Sequence, residues 1–599
     1  MTVVFKKKYQ PGSHSLLLCV VCVKIQGTGG ANMKVLFCCI NSKYIHSSLA
    51  PWCLFSACKE KCADGIQLAV TEGTINESLQ NVEQRLLAQR PQVLAFSCYI
   101  WNITYTLSLA KSIKISHPHV QIILGGPEVS YRAEQILQEH PYIDFVSAGE
   151  GEVSIPQLLN AIYHNEKICA DGVSYRKNAD LHINTNDPQT DESISPCCEE
   201  YLQQLNGRIA YTQSSRGCPF HCAFCLSGRL GKVRYMPMER VKKEILLLAN
   251  SGTKTVKFVD RTFNCNKDRA AEILSFIGTH YGKEIPDDVC FHFEIAADLL
   301  DEDLFSVISA LPQGSVQFEI GIQSFNENTL RAINRTARLD LILQNTKKLL
   351  QTGNCHIHID LIAGLPQEDF NSFVNGFNRA YDLKADMLQL GFLKILHGSP
   401  MAQHKELYPC NHCSDPPYEV IDTPWITEEE LRKLHIAENE LERLYNSGRF
   451  RKTLDYVLQT TGISPFDLFY GFGIFLQNTA NSRLSLDAYT NLAFDYFCTL
   501  DGIDRMILRD RMIFDRIATN SSGVIPDRLK VMDPQLKKIK NELRLRFPPK
   551  KSVNRSVAIL YSQNNVIFCD YLEKNKVSGV FTVQRLPLAS LLKNSKEII

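Results

Sequence analysis

The sequence has no excess of positive or negative charge, no long apolar run and no internal repeat. It has 65 Lys and Arg residues against 64 Asp and Glu residues, so neither nucleic acid nor an anionic membrane is expected as a partner. No apolar run approaches the ~18 residues that a membrane span needs. Heptad arrays, solenoid periods and low-complexity tracts are missing too. With 599 residues, the chain is predicted to form several globular domains.

A disulfide framework is not indicated either, although the sequence contains 21 cysteines. They are scattered, and several lie in apolar strand-like runs, as Cys38 and Cys39 do, which is typical of reduced, buried thiols. We therefore expect a reducing cytoplasm. Residues 1–32 contain the basic and apolar parts of a weak signal peptide, but Met33 begins a clean strand. We interpret 1–32 as a non-native or dispensable extension.

The strongest chemical signal is the motif formed by Cys218, Cys222 and Cys225. Three thiols at this spacing can bind one iron-sulfur cluster, and in a four-iron cluster one iron then has no protein ligand. Such an open iron can hold a small molecule by its amine and carboxylate. Residues 209–213 predict a strand that leads into the loop, which places the thiols at a strand's carboxyl end. On the residues alone, a zinc site, a cluster of thiols without a metal or a ferredoxin-like loop also fits.

The spacing, with Phe224 beside the last cysteine, resembles the radical S-adenosylmethionine (SAM) superfamily. The resemblance implies a [4Fe-4S] cluster on Cys218, Cys222 and Cys225, with SAM bound at the open iron. It also implies a flavodoxin or ferredoxin-type electron donor as a partner.

Residues 33–170 predict a Rossmann-like domain. Buried-strand runs alternate with helix-length stretches, which favours a parallel sheet covered on both faces. The strands end in small or polar turns, and ligands of such sheets bind beyond the carboxyl ends of the strands. No G-x-G-x-x-G follows the first strand, which weakens a dinucleotide site. A domain that has lost its ligand, or that binds a nucleotide, stays an alternative.

The order of these turns resembles the cobalamin-binding domains that precede many radical SAM cores. The resemblance implies a cofactor-binding set of seven residues: Asn41, His46, Ser97, Gly125, Gly126, Gly149 and Glu150. The D-x-H-x-x-G motif of that family, whose His ligates cobalt, is absent. His46 stands without its Asp and Gly, and an unsupported His is a poor metal ligand. We expect cobalamin without a protein His below the cobalt.

The rest of the chain predicts a linker, a core and an extension. Residues 171–205, rich in Asn, Asp, Thr, Ser and Pro, predict the linker. Residues 206–405 predict about six βα units, a partial (β/α)6 TIM barrel that forms the radical SAM core. Residues 406–599 predict a mainly helical extension that begins with a capping box at Thr427 and ends with a few strands. This region resembles the extension of an uncharacterised group of cobalamin-binding radical SAM proteins. The predicted fold class is α/β.

Polar residues follow the predicted core strands where they end. The stretches 319–326 and 332–335 closely resemble oxygen-independent coproporphyrinogen oxidase and its relatives, which implies that Gln323 and Arg335 contact SAM. Similar matches at the other strand ends complete the predicted SAM-binding set: Asp260, Glu294, Gln323, Arg335 and Asp360. Gln367 departs from the pattern, because relatives often have Gly there.

The predicted function is that of a radical SAM enzyme. The cluster cleaves SAM to a 5'-deoxyadenosyl radical, and cobalamin assists methyl transfer to an unactivated carbon of an organic substrate. A cobalamin-independent or ring-forming radical SAM oxidoreductase is one alternative, and a non-catalytic iron-sulfur or corrinoid carrier is another. No residue pattern identifies the substrate or a catalytic side chain.

Overall fold

The structure is a computed structural model that describes residues 32–177, 180–189, 194–479, 484–548 and 554–592. The chain divides into two units, residues 1–201 and 202–599. The extension expected over residues 1–32 lies outside the described residues, apart from its last residue. Among the described residues, no helix combines the length and the apolar character that crossing a bilayer requires.

The first unit contains one seven-stranded sheet in the order β2-β1-β3-β4-β5-β6-β7. Its strands are β1 (Met33–Asn41), β2 (Ile66–Thr74), β3 (Val93–Ser97), β4 (Gln121–Gly125), β5 (Phe145–Ser147), β6 (Val173–Lys177) and β7 (Asp180–His182). The helices along this stretch are α1 (Ala50–Lys61), α2 (Leu79–Leu87), α3 (Ile103–Ser116), α4 (Pro127–Ser130), α5 (Ala133–Glu139), α6 (Gly151–His164) and α7 (Glu199–Leu202). Strands β1 to β5 are parallel, so the predicted sheet is confirmed. The order places a topological switch between β1 and β3, where such sheets bind ligands.

The predicted linker differs from the structure in its first part. Strands β6 and β7 lie within residues 171–205 and extend the first sheet through antiparallel pairing. Strand β7 is an edge strand, and two of its three residues are exposed. A polar composition is usual for an exposed edge strand, which is why this segment resembles a connector in the sequence.

The second unit contains a six-stranded, fully parallel sheet in the order β15-β14-β13-β12-β11-β8. The strands from 202 to 405 are β8 (Ile209–Thr212), β9 (Ser215–Arg216), β10 (Arg234–Tyr235), β11 (Thr255–Phe258), β12 (Cys290–Ile295), β13 (Val316–Gln323), β14 (His356–Ala363) and β15 (Met387–Phe392). The helices are α8 (Met238–Ala249), α9 (Lys267–His280), α10 (Glu302–Ser309), α11 (Glu327–Ala332), α12 (Leu339–Thr352), α13 (Phe370–Asp382) and α14 (Pro400–Gln403). This confirms the six strands predicted for a partial barrel.

Alternation along these strands creates one apolar face and one polar face. In β13 the residues Val316, Phe318, Ile320 and Ile322 are buried, while the residues between them are partly exposed. The rings of Phe258 and Phe293 on neighbouring strands lie 4.6 Å apart. Because side chains alternate across a strand, the intervening polar residues of all six strands share the other face. That face carries the candidate site.

The carboxyl-terminal part of the second unit is mainly helical and ends in a small antiparallel sheet, as predicted. Its helices are α15 (Glu428–Glu440), α16 (Arg451–Thr461), α17 (Pro465–Thr479), α18 (Leu486–Phe497), α19 (Arg505–Thr519), α20 (Gln535–Arg546) and α21 (Leu588–Leu592). Its strands are β16 (Asn411–His412), β17 (Val420–Asp422), β18 (Ser556–Leu560), β19 (Asn565–Cys569) and β20 (Gln584–Pro587). The predicted capping box at Thr427 is present and opens α15.

One contact of this region completes the edge of the barrel sheet. The Asn446 side chain donates to Leu388 O at 2.8 Å and accepts from Leu388 N at 3.0 Å, so it pairs with edge strand β15 as a further strand would. We expect Asn446→Ala to lower the free energy of unfolding by about 1–3 kcal/mol, because the strand loses its partner. Urea unfolding followed by circular dichroism measures this loss.

Asn439→Ala is the matched control. Asn439 lies in helix α15, where its side chain donates to His435 O and not to the described strands of the sheet. Equal destabilisation by the two variants would contradict the edge-capping role of Asn446.

Candidate cofactor sites

The cysteine loop begins soon after β8, and its backbone is anchored on two sides. The Ala223 N–H donates to Ile333 O at 2.9 Å, and Ala223 O accepts from Met401 N at 3.1 Å. Gly228 lies just past the loop, where a Cβ would come within 2.2 Å of Phe220 O, so only glycine fits. These contacts hold the loop at the carboxyl end of the sheet, as predicted.

Each thiol of the motif has its own polar neighbour. Cys218 Sγ lies 3.4 Å from Thr262 Oγ1, and Cys225 Sγ accepts from the Ser227 N–H at 3.4 Å. Cys222 Sγ accepts from the Arg335 guanidinium at 3.7 Å. Burial raises the pKa of the Cys222 thiol, and the guanidinium acts in the opposite direction.

The three thiols of the motif are not arranged as the ligands of a single metal ion. No group of three His, Cys, Asp or Glu side chains in the described part of the chain is arranged to hold one metal ion. A four-iron cluster binds each thiolate to a different iron, so its ligands stand further apart than those of zinc. Cys218 and Cys225 are nonetheless close enough to Cys222 to influence its titration.

Unpaired polar atoms lie beside Cys222. The Arg335 guanidinium donates to Gly321 O, yet its Nε is buried without a hydrogen-bond partner among the described residues. Gln323 Oε1 is buried and unpaired in the same sense. Gln323 closes β13 with φ of +71°, next to an irregularity in the register with β14. A ligand with both donors and acceptors would satisfy these atoms, and the amino-acid end of SAM has both.

Asp360 and Glu294 lie on the polar face of the same sheet. Burial raises the pKa of both carboxyls. Asp360 Oδ1 lies 3.0 Å from His358 Nε2 as an ion pair, without hydrogen-bond geometry. These carboxyls can accept hydrogen bonds from hydroxyl or amine donors of a ligand, which fits the ribose and amine of SAM.

The sequence analysis missed a second polar group on this face. Glu319 accepts from Lys257 at 3.1 Å and lies 2.8 Å from His292 Nε2. Burial would raise the pKa of Glu319, but these two neighbours outweigh it and lower that pKa below its usual range. The sequence signal that could have identified this group is the polar residue at every second position of the predicted strands.

Asp260 has a different environment from the other predicted residues. It is buried, and its carboxylate accepts from Ser214 N at 2.8 Å, Ser214 Oγ at 2.6 Å and Ser215 Oγ at 2.6 Å. These serines lie shortly before Cys218, so Asp260 fixes the approach to the cysteine loop. A contact between Asp260 and SAM stays a prediction.

In the first unit, several predicted residues meet at the carboxyl ends of neighbouring strands. Ser97 on β3 lies beside Gly125 on β4. Gly126 has φ of +102°, and a Cβ there would lie 2.6 Å from Cys98 O. The position therefore requires glycine, because the Cys98 backbone approaches it closely.

The remaining predicted residues of this edge already have partners. The Asn41 amide donates to Glu72 at 2.9 Å, which joins β1 to β2. His46 is half-buried, and its backbone N–H donates to Lys43 O at 3.2 Å. The turn of Gly149 and Glu150 packs against residues 187–188, and Pro188 O accepts from the Glu150 N–H at 2.8 Å.

Exposed aromatic side chains at this edge were also missed. Trp101, just after β3, is 47% exposed and stacks on Tyr99 at 4.4 Å. Tyr44, after β1, is equally exposed. The sequence signal was the presence of Tyr44, Tyr99 and Trp101 in two loops that follow strands. Large apolar side chains in such loops often line ligand sites.

Three family models match the chain in succession. Residues 37–159 match the B12 binding domain, and residues 212–376 match the radical SAM superfamily. Residues 406–574 match a family described as protein of unknown function, DUF4080. The predicted cofactors, cobalamin and SAM with its cluster, are those of the first two families.

Among curated proteins, the chain is similar to two named methyltransferases. It is 27% identical to the cobalamin-dependent radical SAM methyltransferase TokK of Streptomyces tokunonensis, over 52% of this chain and 48% of that protein. It is 29% identical to 2-(S-pantetheinyl)-carbapenam-3-carboxylate methyltransferase of Streptantibioticus cattleyicolor, over 48% of this chain and 44% of that protein. The chain spans about half the length of the curated relatives it matches.

Solved structures confirm the fold. The cobalamin-dependent SAM radical enzyme OxsB, with aqua-cobalamin and SAM bound, matches with a TM-score of 0.57 and 13% identity, over 87% of this chain and 82% of that one. TsrM from Kitasatospora setae, with cobalamin and a [4Fe-4S] cluster bound, matches with a TM-score of 0.52 and 15% identity, over 65% and 82%. By its family models, the chain therefore carries a B12 binding domain, a radical SAM superfamily domain and a DUF4080 region in succession.

Proposed function

We propose that this protein is a cobalamin-dependent radical SAM methyltransferase that methylates an unactivated carbon of an organic substrate. The observation that carries the proposal is that Arg335 donates to Cys222 and lies with Gln323 beside Gly321, with buried unpaired polar atoms on both Arg335 and Gln323. A non-catalytic carrier has no need for groups that grip SAM. The curated relatives named as methyltransferases support the reaction type.

Each site residue has a part that follows from its chemistry. Cys218, Cys222 and Cys225 would hold the cluster, which would supply the electron that cleaves SAM to methionine and a 5'-deoxyadenosyl radical, and cobalamin bound by the first unit would supply the methyl group. Arg335 offers a planar fork of donors to the SAM carboxylate, and Gln323 Oε1 accepts from the SAM amine. Asp360 and Glu294 accept from ribose hydroxyls, and ligand donors would stabilise their ionised forms.

In the first unit, the strand ends supply a surface for a large flat ligand. The turn of Gly125 and Gly126 follows β4 at this edge, and Ser97 lies beside Gly125. The stacked pair of Tyr99 and Trp101 offers an exposed apolar surface. We assign this edge to cobalamin, with Asn41 as a residue that positions β1 rather than a ligand contact.

Replacement of His46 by alanine is expected to leave corrinoid binding unchanged. The D-x-H-x-x-G context that would orient an imidazole towards cobalt is missing from the loop. The measurement is the absorbance spectrum and the corrinoid content of protein reconstituted with hydroxocobalamin. Gly126→Ala is the contrasting variant, expected to lose corrinoid because its Cβ meets Cys98 O. A spectral change with His46→Ala alone would show that His46 is an axial ligand.

The proposed function is tested by anaerobic reconstitution with iron, sulfide and hydroxocobalamin, followed by SAM and dithionite. Assays for 5'-deoxyadenosine and S-adenosylhomocysteine are run separately. Formation of both, with bound corrinoid, supports methyl transfer. If the protein forms 5'-deoxyadenosine but binds no corrinoid and forms no S-adenosylhomocysteine, the oxidoreductase alternative is favoured. Neither nucleoside, although the cluster has formed, would favour the carrier. The flavodoxin or ferredoxin-type electron donor is tested by replacing dithionite with each protein.

A further inference from the structure

We propose that Glu368 is a positioning residue of the SAM site, which holds the segment from Gln323 to Arg335 in its binding conformation. The inference rests on the proposed function, because it assigns SAM to that segment. Glu368 lies in the loop after β14, and the segment that it holds follows β13.

The contact between the two loops is short and buried. Glu368 is 2% exposed, and its Oε1 accepts from Ser324 Oγ at 2.6 Å. Ser324 directly follows Gln323 in the chain. Ser324 Oγ also accepts from the Asn326 N–H at 2.9 Å. The carboxylate therefore fixes the backbone turn that begins at Gln323.

A second contact extends the network to Arg335. The Asn326 side chain donates to Gln367 O at 3.2 Å, and its oxygen accepts from Asn328 N at 2.9 Å at the start of α11. Arg335 follows that helix, and its N–H donates to Leu330 O at 2.9 Å. The loop of Glu368 thus holds the helix that separates the two predicted SAM contacts.

Backbone conformation explains why such support is needed. Gln323 has φ of +71° and Gln367 has φ of +63°. Residues with a Cβ rarely adopt these angles, which persist only where surrounding contacts fix them. The carbonyl of Gln367 accepts from the Asn326 side chain, so this left-handed turn is held by the same network.

Only one oxygen of Glu368 takes part in the network. Its Oε2 is buried without a hydrogen-bond partner among the described residues. Burial raises the pKa of Glu368 to about 7, and the Ser324 hydroxyl only partly offsets this. Positioning therefore depends on an acceptor at the place of Oε1, which the amide oxygen of glutamine can also supply.

The test compares Glu368→Ala, Glu368→Gln and Ser324→Ala in the full chain reconstituted with its cluster. SAM binding is measured by equilibrium dialysis without reductant, and 5'-deoxyadenosine formation is measured separately. We expect Glu368→Ala and Ser324→Ala each to weaken SAM binding about tenfold, and the double variant to be no worse than either. Glu368→Gln is expected to bind SAM as the unmodified protein does.

Asp515→Ala is the matched control, because Asp515 is another buried carboxylate that accepts from a hydroxyl, that of Thr453, but in helix α19. It is expected to lower thermal stability without weakening SAM binding. Unchanged binding in Glu368→Ala, equal weakening in Asp515→Ala, or failure of Glu368→Gln to restore binding would each overturn the proposal. SAM binding without deoxyadenosine formation in the unmodified protein would instead count against the proposed function.

Discussion

Cys222→Ala is expected to abolish formation of 5'-deoxyadenosine, down to the level measured without protein. The other two thiols cannot hold a four-iron cluster in a defined position, since each protein ligand fixes one iron. Cys222 Sγ also accepts a hydrogen bond from the Arg335 guanidinium at 3.7 Å. The variant therefore also removes the link between the cluster motif and a predicted SAM contact. Iron and sulfide content, the absorbance of the reconstituted protein and chromatographic assay of deoxyadenosine measure the effect.

Cys413→Ala provides the matched control. Cys413 is an exposed free thiol in the carboxyl-terminal part of the second unit. Its replacement is expected to leave iron content and deoxyadenosine formation unchanged. If Cys222→Ala retained a full cluster and full activity, the assignment of the cysteine motif would be wrong.

Arg335→Ala is expected to lower kcat/KM for SAM by about 10–100-fold. The guanidinium donates to Cys222 of the cluster motif, and loss of a charge-assisted hydrogen bond costs about 1.5–3 kcal/mol. Arg335→Lys is expected to recover only part of the loss, because an ammonium keeps the charge but lacks the planar fork. Initial rates of deoxyadenosine formation at varied SAM concentration give KM and kcat separately.

Arg331→Ala controls for a general loss of positive charge. Arg331 lies on α11, close in sequence to Arg335, but it is exposed and donates to the Asn328 side chain. We expect its replacement to leave the KM for SAM unchanged. Equal effects at Arg331 and Arg335 would point to long-range electrostatics and not to a direct contact.

The sequence was sufficient for features that depend on short stretches of chain. The three cysteines lie within eight residues, and their spacing alone limits which metal centres they can form. Local apolar patterns predicted both parallel sheets, although β2, the edge strands β6 and β7, and the helices α1, α4, α6 and α7 were missed. An edge strand with few buried residues carries too weak a pattern to be recognised.

What the sequence by itself determined is therefore the cluster motif and the alternation of strands and helices that predicts the two parallel sheets. Tertiary structure decided which polar residues meet. Arg335 lies 113 residues after Cys222 yet donates to its thiol, whereas Asp260 is engaged by two serines. In the sequence both are polar residues of segments that follow a core strand, Asp260 just after β11 and Arg335 beyond α11. Their different partners follow from the packing of these segments, which contacts between distant parts of the chain determine.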